Sequence, residues 1–304
     1  MEVYQELNKN KHIAIALGYF DGMHLGHKKV IQTLVSKARS LDIESAVVTF
    51  EENPKNYFND NKILNLQSYK DKESQFEALG VDSVYELTFE DFKDYSAEEY
   101  LKLLIQYFQP EVIVVGYNHT FGKDRMGTPA FLEKNAGEYG YECIIVSEQR
   151  GQYEETISSS EIRDKITKGQ LGLVKKLLGR SFSVRNSVVK GKRLAATLGY
   201  PTANLIWPHS LIKLPYGVYF GYVKVDNKLL HGMISWGLSP TLTDETEEKL
   251  EVHINNYSGN LYGKIIQIVF ILKVRDIEKF ANIKLLKEQL DKDYKHFRDW
   301  ASKH

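Results

Sequence analysis

Apolar residues fall into two textures along this chain, and the change between them divides it. In the first part, residues 12–17, 45–50 and 83–89 are strand-like, and 111–116 and 142–146 are short continuous apolar runs that also read as strands. Runs without polar alternation suit central strands covered on both faces. Between them, residues 28–40 place Val30, Ile31, Leu34, Val35 and Ala38 at helical spacing. Residues 71–79 form a second candidate helix. Residues 96–108 form a third, opened by Ser96 with Glu99 three positions on, the pattern of a capping box. Strand and helix alternation of this kind predicts an α/β domain with a doubly wound parallel sheet.

Beyond Gly179 and Arg180 the texture changes. Residues 182–189, 218–225, 229–234, 250–255 and 264–274 are alternating and β-branched, separated by Gly, Pro and Asn turns. That pattern predicts a small antiparallel β-barrel or sandwich. Residues 276–293 have helical spacing, with Phe280, Ile283, Leu286 and Leu290 on one side. The expected organisation is therefore an α/β domain over residues 1–180 and a barrel domain with a terminal helix over residues 181–304.

Composition narrows the partners. The 304 residues carry 40 Lys plus Arg against 40 Asp plus Glu, so no basic excess draws the chain to a nucleic-acid backbone. Cys143 is the single cysteine, beside an apolar run, which excludes an internal disulfide and a thiolate zinc cluster. Residues 1–11 are polar and charged, unlike a signal peptide, and the longest apolar stretch, near residues 265–274, is too short to span a bilayer. The cytoplasm is the expected compartment, with no membrane and no nucleic-acid partner.

The candidate chemistry starts where the strand at 12–17 runs into residues 18–27, GYFDGMHLGH, and then a helix. A strand, a glycine-bearing loop and a helix start form an anion cradle, because backbone N–H groups point outward and the helix dipole favours negative charge. Gly18, Gly22 and Gly26 remove side chains where phosphate must approach. His24 and His27 are three apart and share a helix face. Two imidazoles facing a polyphosphate can donate hydrogen bonds to oxygens that gain charge in the transition state. The same pair could instead be half of a metal site lacking a visible third ligand.

Residues 18–27 resemble the H-x-G-H motif of the nucleotidyltransferase superfamily. More narrowly, G-x-F-D-G-x-H-x-G-H resembles the bacterial bifunctional riboflavin kinase/FMN adenylyltransferases, also called FAD synthetases. Further segments fit that family in order: Thr49-Phe50 with Pro54, residues 115–122 (VGYNHTFG), residues 158–163 (SSSEIR) and Leu178-Gly179-Arg180. The resemblance implies that His24, Gly26 and His27 hold the ATP phosphates, with Gly18, Phe20, Asp21, Gly22, Ser159, Ser160 and Arg163 completing the nucleotide site. Asp21 would fix the loop through backbone hydrogen bonds. Arg163 could equally be a surface ion-pair residue. Phe50, Pro54, Asn118 and Phe121 would face the flavin. The family's Asp in V-G-x-D-F-x-F-G is Asn118 here and the next Phe is His119, so a carboxylate is replaced by a neutral amide.

In the second part, Pro201-Thr202-Ala203-Asn204 resembles the P-T-A-N motif of riboflavin kinases. There the Thr hydroxyl and Asn carbonyl hold Mg²⁺ beside ATP, as suits a cation that prefers hard oxygen. Read without the family, the same residues are an ordinary Pro-Thr turn. Glu251 matches the family's catalytic Glu, and on a strand it shares a face with His253. Arg275 is the position expected near the flavin, and residues 239–241 (SPT) match a family turn. The glycine loop departs from the family: Gly191 is present, but Ala195 and Ala196 stand where the second Gly and an Arg are usual, with Lys192 or Arg193 as nearby substitutes.

The resemblance thus implies ATP, riboflavin, FMN and FAD as substrates and products, with Mg²⁺. Riboflavin would become FMN in the C-terminal domain and FMN would become FAD in the N-terminal one. Two alternatives remain open at this point: an FMN adenylyltransferase with a weakened kinase domain, and a flavin-sensing RNA-binding regulator.

Overall fold

The computed structural model describes residues 1–7, 12–148, 157–191, 194–226, 228–238 and 248–304. The chain divides into two compact units, Met1–Glu161 and Ile162–His304.

The first unit is built on six strands: β1 (Glu2–Tyr4), β2 (Ile13–Leu17), β3 (Glu44–Phe50), β4 (Ser83–Leu87), β5 (Val112–Gly116) and β6 (Glu142–Val146). They lie in the order β1-β4-β3-β2-β5-β6, every pair parallel. From β2 the chain first builds outward through β3 and β4, then returns to add β5 on the other side. Ligands of open parallel sheets bind at such a reversal, outside the carboxyl ends of the strands.

Period-two alternation in β2 decides which layer each residue joins. Ala14 and Ala16 face α1 (Leu25–Leu41), whose Val30, Ile31, Leu34, Val35 and Ala38 close one face of the sheet. Ile13, Ile15 and Leu17 face α3 (Ala97–Phe108), whose Tyr100, Leu101, Leu104 and Phe108 close the other. Small residues toward α1 let that helix approach closely. Between these helices in sequence lies α2 (Tyr69–Ala78), and α4 (Pro129–Tyr139) adds Leu132 to the α3 face. The Ser96–Glu99 capping box forms in full: the Glu99 N–H donates to Ser96 Oγ at 3.2 Å and the Ser96 N–H to Glu99 Oε2 at 2.8 Å. β1 was not expected, because it lies in a polar and charged stretch, residues 1–11. It pairs with β4 at the sheet edge, with Tyr4 stacked on Tyr85 at 4.9 Å.

In the second unit, after α5 (Ser159–Thr167) and α6 (Leu171–Leu178), six strands close a barrel. They are β7 (Ser183–Val189), β8 (Ala203–Leu205), β9 (Gly217–Val225), β10 (Lys228–Leu238), β11 (Glu248–Ile254) and β12 (Ile265–Arg275). The order is β10-β11-β8-β7-β12-β9, antiparallel throughout. A short α7 (Leu194–Thr197) links β7 to β8. Phe182, Trp207, Trp236 and Phe270 pack ring on ring, with Trp207 and Trp236 4.3 Å apart.

The terminal helix differs from the sequence expectation. α8 spans Ile283–Ala301 rather than 276–293, because Asn282 caps it: its side chain accepts the Leu285 N–H at 3.0 Å. Phe280 therefore precedes the helix and Ile283 is exposed. The packed stripe is Phe297 and Trp300 against Val218, Phe220 and Met233 of the barrel.

Candidate active sites

The loop after β2 sits at the carboxyl end of the central strand. The Gly18 N–H donates to Val48 O at 3.2 Å, holding the loop to β3. Gly22 takes φ 78°, a left-handed value that glycine adopts without strain. Phe20 and Met23 are also left-handed, at φ 55° and 41°, and both are buried. A bulky residue holds such a conformation only where packing over-determines it. Phe20 packs edge-on against Phe76 and His27, so its ring supports the loop from within the core. Asp21 Oδ1 accepts the Leu66 N–H at 2.8 Å, and the Asp21 carbonyl accepts the Ser159 hydroxyl at 3.1 Å. The loop is thereby tied to the start of α5. Ser160 and Arg163 follow on α5, one turn apart.

His24 is the N-cap of α1, and its Nδ1 accepts the His27 N–H at 3.2 Å. An Nδ1 that accepts leaves the proton of the neutral ring on Nε2. The two imidazoles stack, with centroids 3.6 Å apart and planes within 18°. Burial pushes the His24 pKa down to about 4 and holds His27 well below the ordinary histidine value, where the His24 and Lys72 charges add to the effect. Both rings are therefore neutral at pH 7, which removes the repulsion a stacked pair of cations would carry. The His27 ring is hydrogen-bonded to the Asp21 backbone, and its Nδ1 is buried with no hydrogen-bond partner. At Gly26 a Cβ would stand 3.2 Å from the His24 ring, so glycine keeps the cap in place.

Lys72 of α2 was not anticipated from sequence. It is 4% exposed, and its Nζ donates to Thr49 Oγ1 and to the Phe50 carbonyl, each at 3.4 Å. Its ammonium lies 4.8 Å from the Tyr19 ring centroid and 5.0 Å from that of Tyr69. Burial lowers its pKa to about 8, against the attraction of Glu86 and Asp21. This cation connects the end of β3 with the glycine-bearing loop after β2.

The candidate flavin residues border the other face of the sheet. Phe50 and Phe121 both pack against the α3-side core. Phe50 meets Phe89 edge-on at 5.2 Å, and Tyr57 and the largely exposed Phe58 join the same ring. Pro54 opens the turn Pro54–Tyr57, which carries Tyr57 and is followed directly by Phe58. Tyr57, Phe58 and Phe89 had no sequence signal beyond being aromatic. Asn118 is exposed in the turn after β5, and His119 stacks on Phe121 at 5.7 Å. Burial brings the His119 pKa down to about 4, and its Nε2 has no hydrogen-bond partner.

These three histidines set a pH dependence. Each has a native pKa below its unfolded value near 6.5, so its full contribution to stability is present above 6.5 and is lost as pH falls below it, toward about 4 for His24 and His119. His24 and His119 each add up to about 1.4 kcal/mol of lost stability per pH unit across that window. His119→Phe should flatten the slope of unfolding free energy between pH 6 and 4 by about one proton, measured by urea titration. An unchanged slope means that His119 takes up its proton in the folded state.

In the barrel, β8 pairs with β11 so that Asn204 lies opposite Glu251. The Thr202 hydroxyl donates to Glu251 Oε2 at 3.3 Å, and Asn204 Nδ2 to the Thr202 carbonyl at 3.5 Å. The Asn204 amide so oriented turns its Oδ1 away from that contact. Burial raises the Glu251 pKa, partly offset by the Thr202 hydroxyl and Lys249. Thr202, Asn204 and Glu251, 49 residues apart at the extremes, thus form one cluster of hard oxygens, and that donor set suits Mg²⁺. Among the described residues no group of three His, Cys, Asp or Glu side chains has metal-binding geometry, so His24 and His27 gain no third ligand there.

Two cavities meet at Thr202. One is lined by Glu251, Arg275, Phe280, Leu286 and Leu290; the other by Pro201, Asn260, Leu261, Tyr257 and Tyr262. Arg275 is held at the first by a two-pronged ion pair with the buried Asp293 of α8, Nη2 to Oδ2 at 2.6 Å and Nε to Oδ1 at 3.1 Å. It is a strut between β12 and α8 as well as a lining residue.

Gly191 is required by close approach: a Cβ there would fall 2.5 Å from the Asn204 amide. Gly191→Ala should displace Asn204 and lower FMN formation from riboflavin by about tenfold to a hundredfold, with FAD formation from FMN unchanged. Steady-state assays of both reactions check this. Ala195 and Ala196 lie within α7, as the helix preference of alanine dictates. Lys192, Arg193 and the turn at 239–241 lie outside the described residues.

The FAD synthetase family model matches residues 6–161 and the riboflavin kinase family model residues 178–301. The bifunctional riboflavin kinase/FMN adenylyltransferase of Bacillus subtilis is 33% identical, over 92% of this chain and 89% of its own length. This chain belongs to the bifunctional riboflavin kinase/FMN adenylyltransferase family. The Escherichia coli K12 member is 31% identical over 92% of the chain and 90% of its own length. A solved structure titled a macrolide-efflux protein, from Streptococcus pneumoniae, superposes with a TM-score of 0.87 at 29% identity, covering 99% of this chain and all of that one (100%). Among the described residues no helix here is long and apolar enough to cross a membrane.

Proposed function

We propose that this chain makes FMN from riboflavin in its barrel and FAD from FMN on its parallel-sheet unit, consuming ATP in both reactions. The functional boundary falls at 180/181, just inside the start of the kinase family match. The observation that carries the reading is the stacked, neutral His24–His27 pair at a helix start on the central strand's carboxyl end.

On the first unit, an FMN phosphate oxygen attacks the α-phosphorus of ATP. The new P–O bond forms as the bond to the β-phosphate oxygen breaks, and pyrophosphate leaves. His24 Nε2–H donates to the phosphate oxygens on which charge collects, and the α1 dipole adds to it. His27, whose neutral ring gives its one N–H to the Asp21 carbonyl, donates from Nδ1 once the bound polyphosphate draws a second proton onto it. Gly18, Gly22 and Gly26 leave room for the triphosphate, and Ser159, Ser160 and Arg163 complete the nucleotide end. Phe50, Pro54, Asn118 and Phe121 form the flavin side.

In the barrel, the terminal ribityl hydroxyl attacks the γ-phosphorus and Glu251 takes its proton. Riboflavin occupies the cavity under Phe280 and α8, the nucleotide the one beside Tyr257 and Tyr262, with Thr202 between them. Thr202 Oγ1 and Asn204 Oδ1 would hold Mg²⁺, which when bound offsets phosphate charge. A cytoplasmic location is part of this reading.

One observation favours a second reading, adenylyl transfer alone. The helical α7, with Ala195 and Ala196, removes a glycine and a cation from the loop before β8. Incubation with riboflavin, ATP and Mg²⁺ and separation of the flavins decides. FAD is the expected product. Unaltered riboflavin, together with FAD when FMN is supplied, establishes the second reading. No turnover of either flavin overturns both.

A further inference from the structure

Strand alternation puts His253 on the same face of β11 as Glu251, and both line the cavity under α8. The hydrogen bond His253 makes leads away from that cavity. Its Nδ1 lies 2.9 Å from the Pro201 carbonyl oxygen. A carbonyl has no proton to give, so Nδ1 carries the hydrogen and donates. The ring meets two tyrosines edge-on, Tyr200 at 6.0 Å and Tyr294 of α8 at 5.6 Å, which also touch each other at 5.3 Å. Tyr200 is fixed in turn: its hydroxyl donates to Asp291 at 2.5 Å, and Lys287 lies over its ring at 5.5 Å. One imidazole therefore joins β11, the turn at 199–202 and α8.

That turn has no ladder of its own to define it. β8 begins only at Ala203, and the preceding Gly199 takes φ +93°. The Gly199 and Tyr200 N–H groups tie the start of the turn back to the Ala196 and Ala195 carbonyls, at 3.1 and 2.9 Å, and proline at 201 has no N–H, so its carbonyl is the group through which β11 holds the turn. Thr202 follows directly.

We propose that His253 is a positioning residue for the kinase reaction: its Nδ1–H fixes the Pro201 carbonyl so that the Thr202 hydroxyl and Asn204 amide oxygen stand together beside Glu251. The inference rests on the riboflavin kinase reading of the barrel. His253 touches neither phosphate nor cation in this role; it sets the oxygens that do.

The test compares His253→Phe, which keeps a packed ring without the donor, with His253→Gln, whose amide N–H restores one. In full-length protein, His253→Phe should raise the Mg²⁺ concentration for half-maximal FMN formation by about tenfold, the effect of one lost hydrogen bond. The riboflavin KM should change by less than about twofold. Mn²⁺ binding in the presence of ADP, followed by water-proton relaxation, should weaken in parallel. Backbone amides of Thr202 and Asn204 should exchange faster with solvent. His253→Gln should recover most of each effect, and FAD formation from FMN should be unchanged in both. Wild-type cation dependence and amide exchange in His253→Phe overturn the proposal. So does an equal loss in both variants with a lowered melting temperature, which marks a purely structural residue. If the unaltered protein forms FAD from FMN but no FMN from riboflavin, the kinase reading falls, and amide exchange still decides whether His253 holds the turn.

Discussion

His27→Ala is expected to reduce FAD formation from FMN by about a thousandfold while FMN formation from riboflavin stays within about twofold. The size of the effect follows from where the ring sits. His27 is on the first turn of α1, stacked at 3.6 Å on His24, and its unpartnered Nδ1 is buried. Alanine removes the ring that, in the proposed reaction, donates to developing phosphate charge once protonated beside the bound polyphosphate, and also the surface that holds the His24 ring parallel. Loss of a preorganised donor in a water-poor site costs two to three powers of ten, and the disturbed neighbour adds to it. His27→Asn tests the cause, since its amide keeps a donor on a shorter arm; it should retain part of the activity that alanine loses. Product analysis with each flavin supplied separately measures both reactions. Equal loss of both would show one shared site and remove the assignment of two separate units.

The parts of this molecule that could be read from sequence are those with local causes. Short apolar stretches marked β2 to β6, because a strand covered on both faces is apolar at most positions; the buried Thr49, Ser83 and Glu86 are among the exceptions within β3 and β4. The pairing of His24 with His27 was visible because helix geometry brings residues three apart together. Features that depend on long-range packing were not visible. Lys72 sits in a charged stretch, residues 70–73 (KDKE), that reads as a solvated helix face. Only the return of β3 beside α2 buries it against Thr49 and Phe50. β8 has three residues, too few for any periodic signal, yet it brings Asn204 opposite Glu251. Phe20 looked like a ligand contact within a glycine-rich motif; its left-handed backbone turns the ring into the core instead. The terminal helix was misplaced because helical spacing of apolar residues continues backward through 276–282. The decisive signal was Asn282, a good N-cap, and not the hydrophobic pattern.

Glu251→Gln should lower FMN formation from riboflavin by about a hundredfold to ten-thousandfold, the range for loss of a general base. The substitution is nearly isosteric, and its amide oxygen can still accept the Thr202 hydroxyl that Glu251 Oε2 now receives at 3.3 Å. The turn and the β8–β11 pairing are therefore preserved, and what disappears is the ability to take a proton. Burial raises the Glu251 pKa, which makes the ionised carboxylate a stronger base than an exposed one. The riboflavin KM should remain within about threefold, so that the loss appears in kcat. FAD formation from supplied FMN should be unaffected, because nothing in that chemistry calls on the barrel. Normal FMN formation by the variant would take Glu251 out of the reaction and leave the ribityl proton to pass to phosphate or water. A loss confined to KM would instead make Glu251 a binding group, with Thr202 and Asn204 still placed by the strand it belongs to.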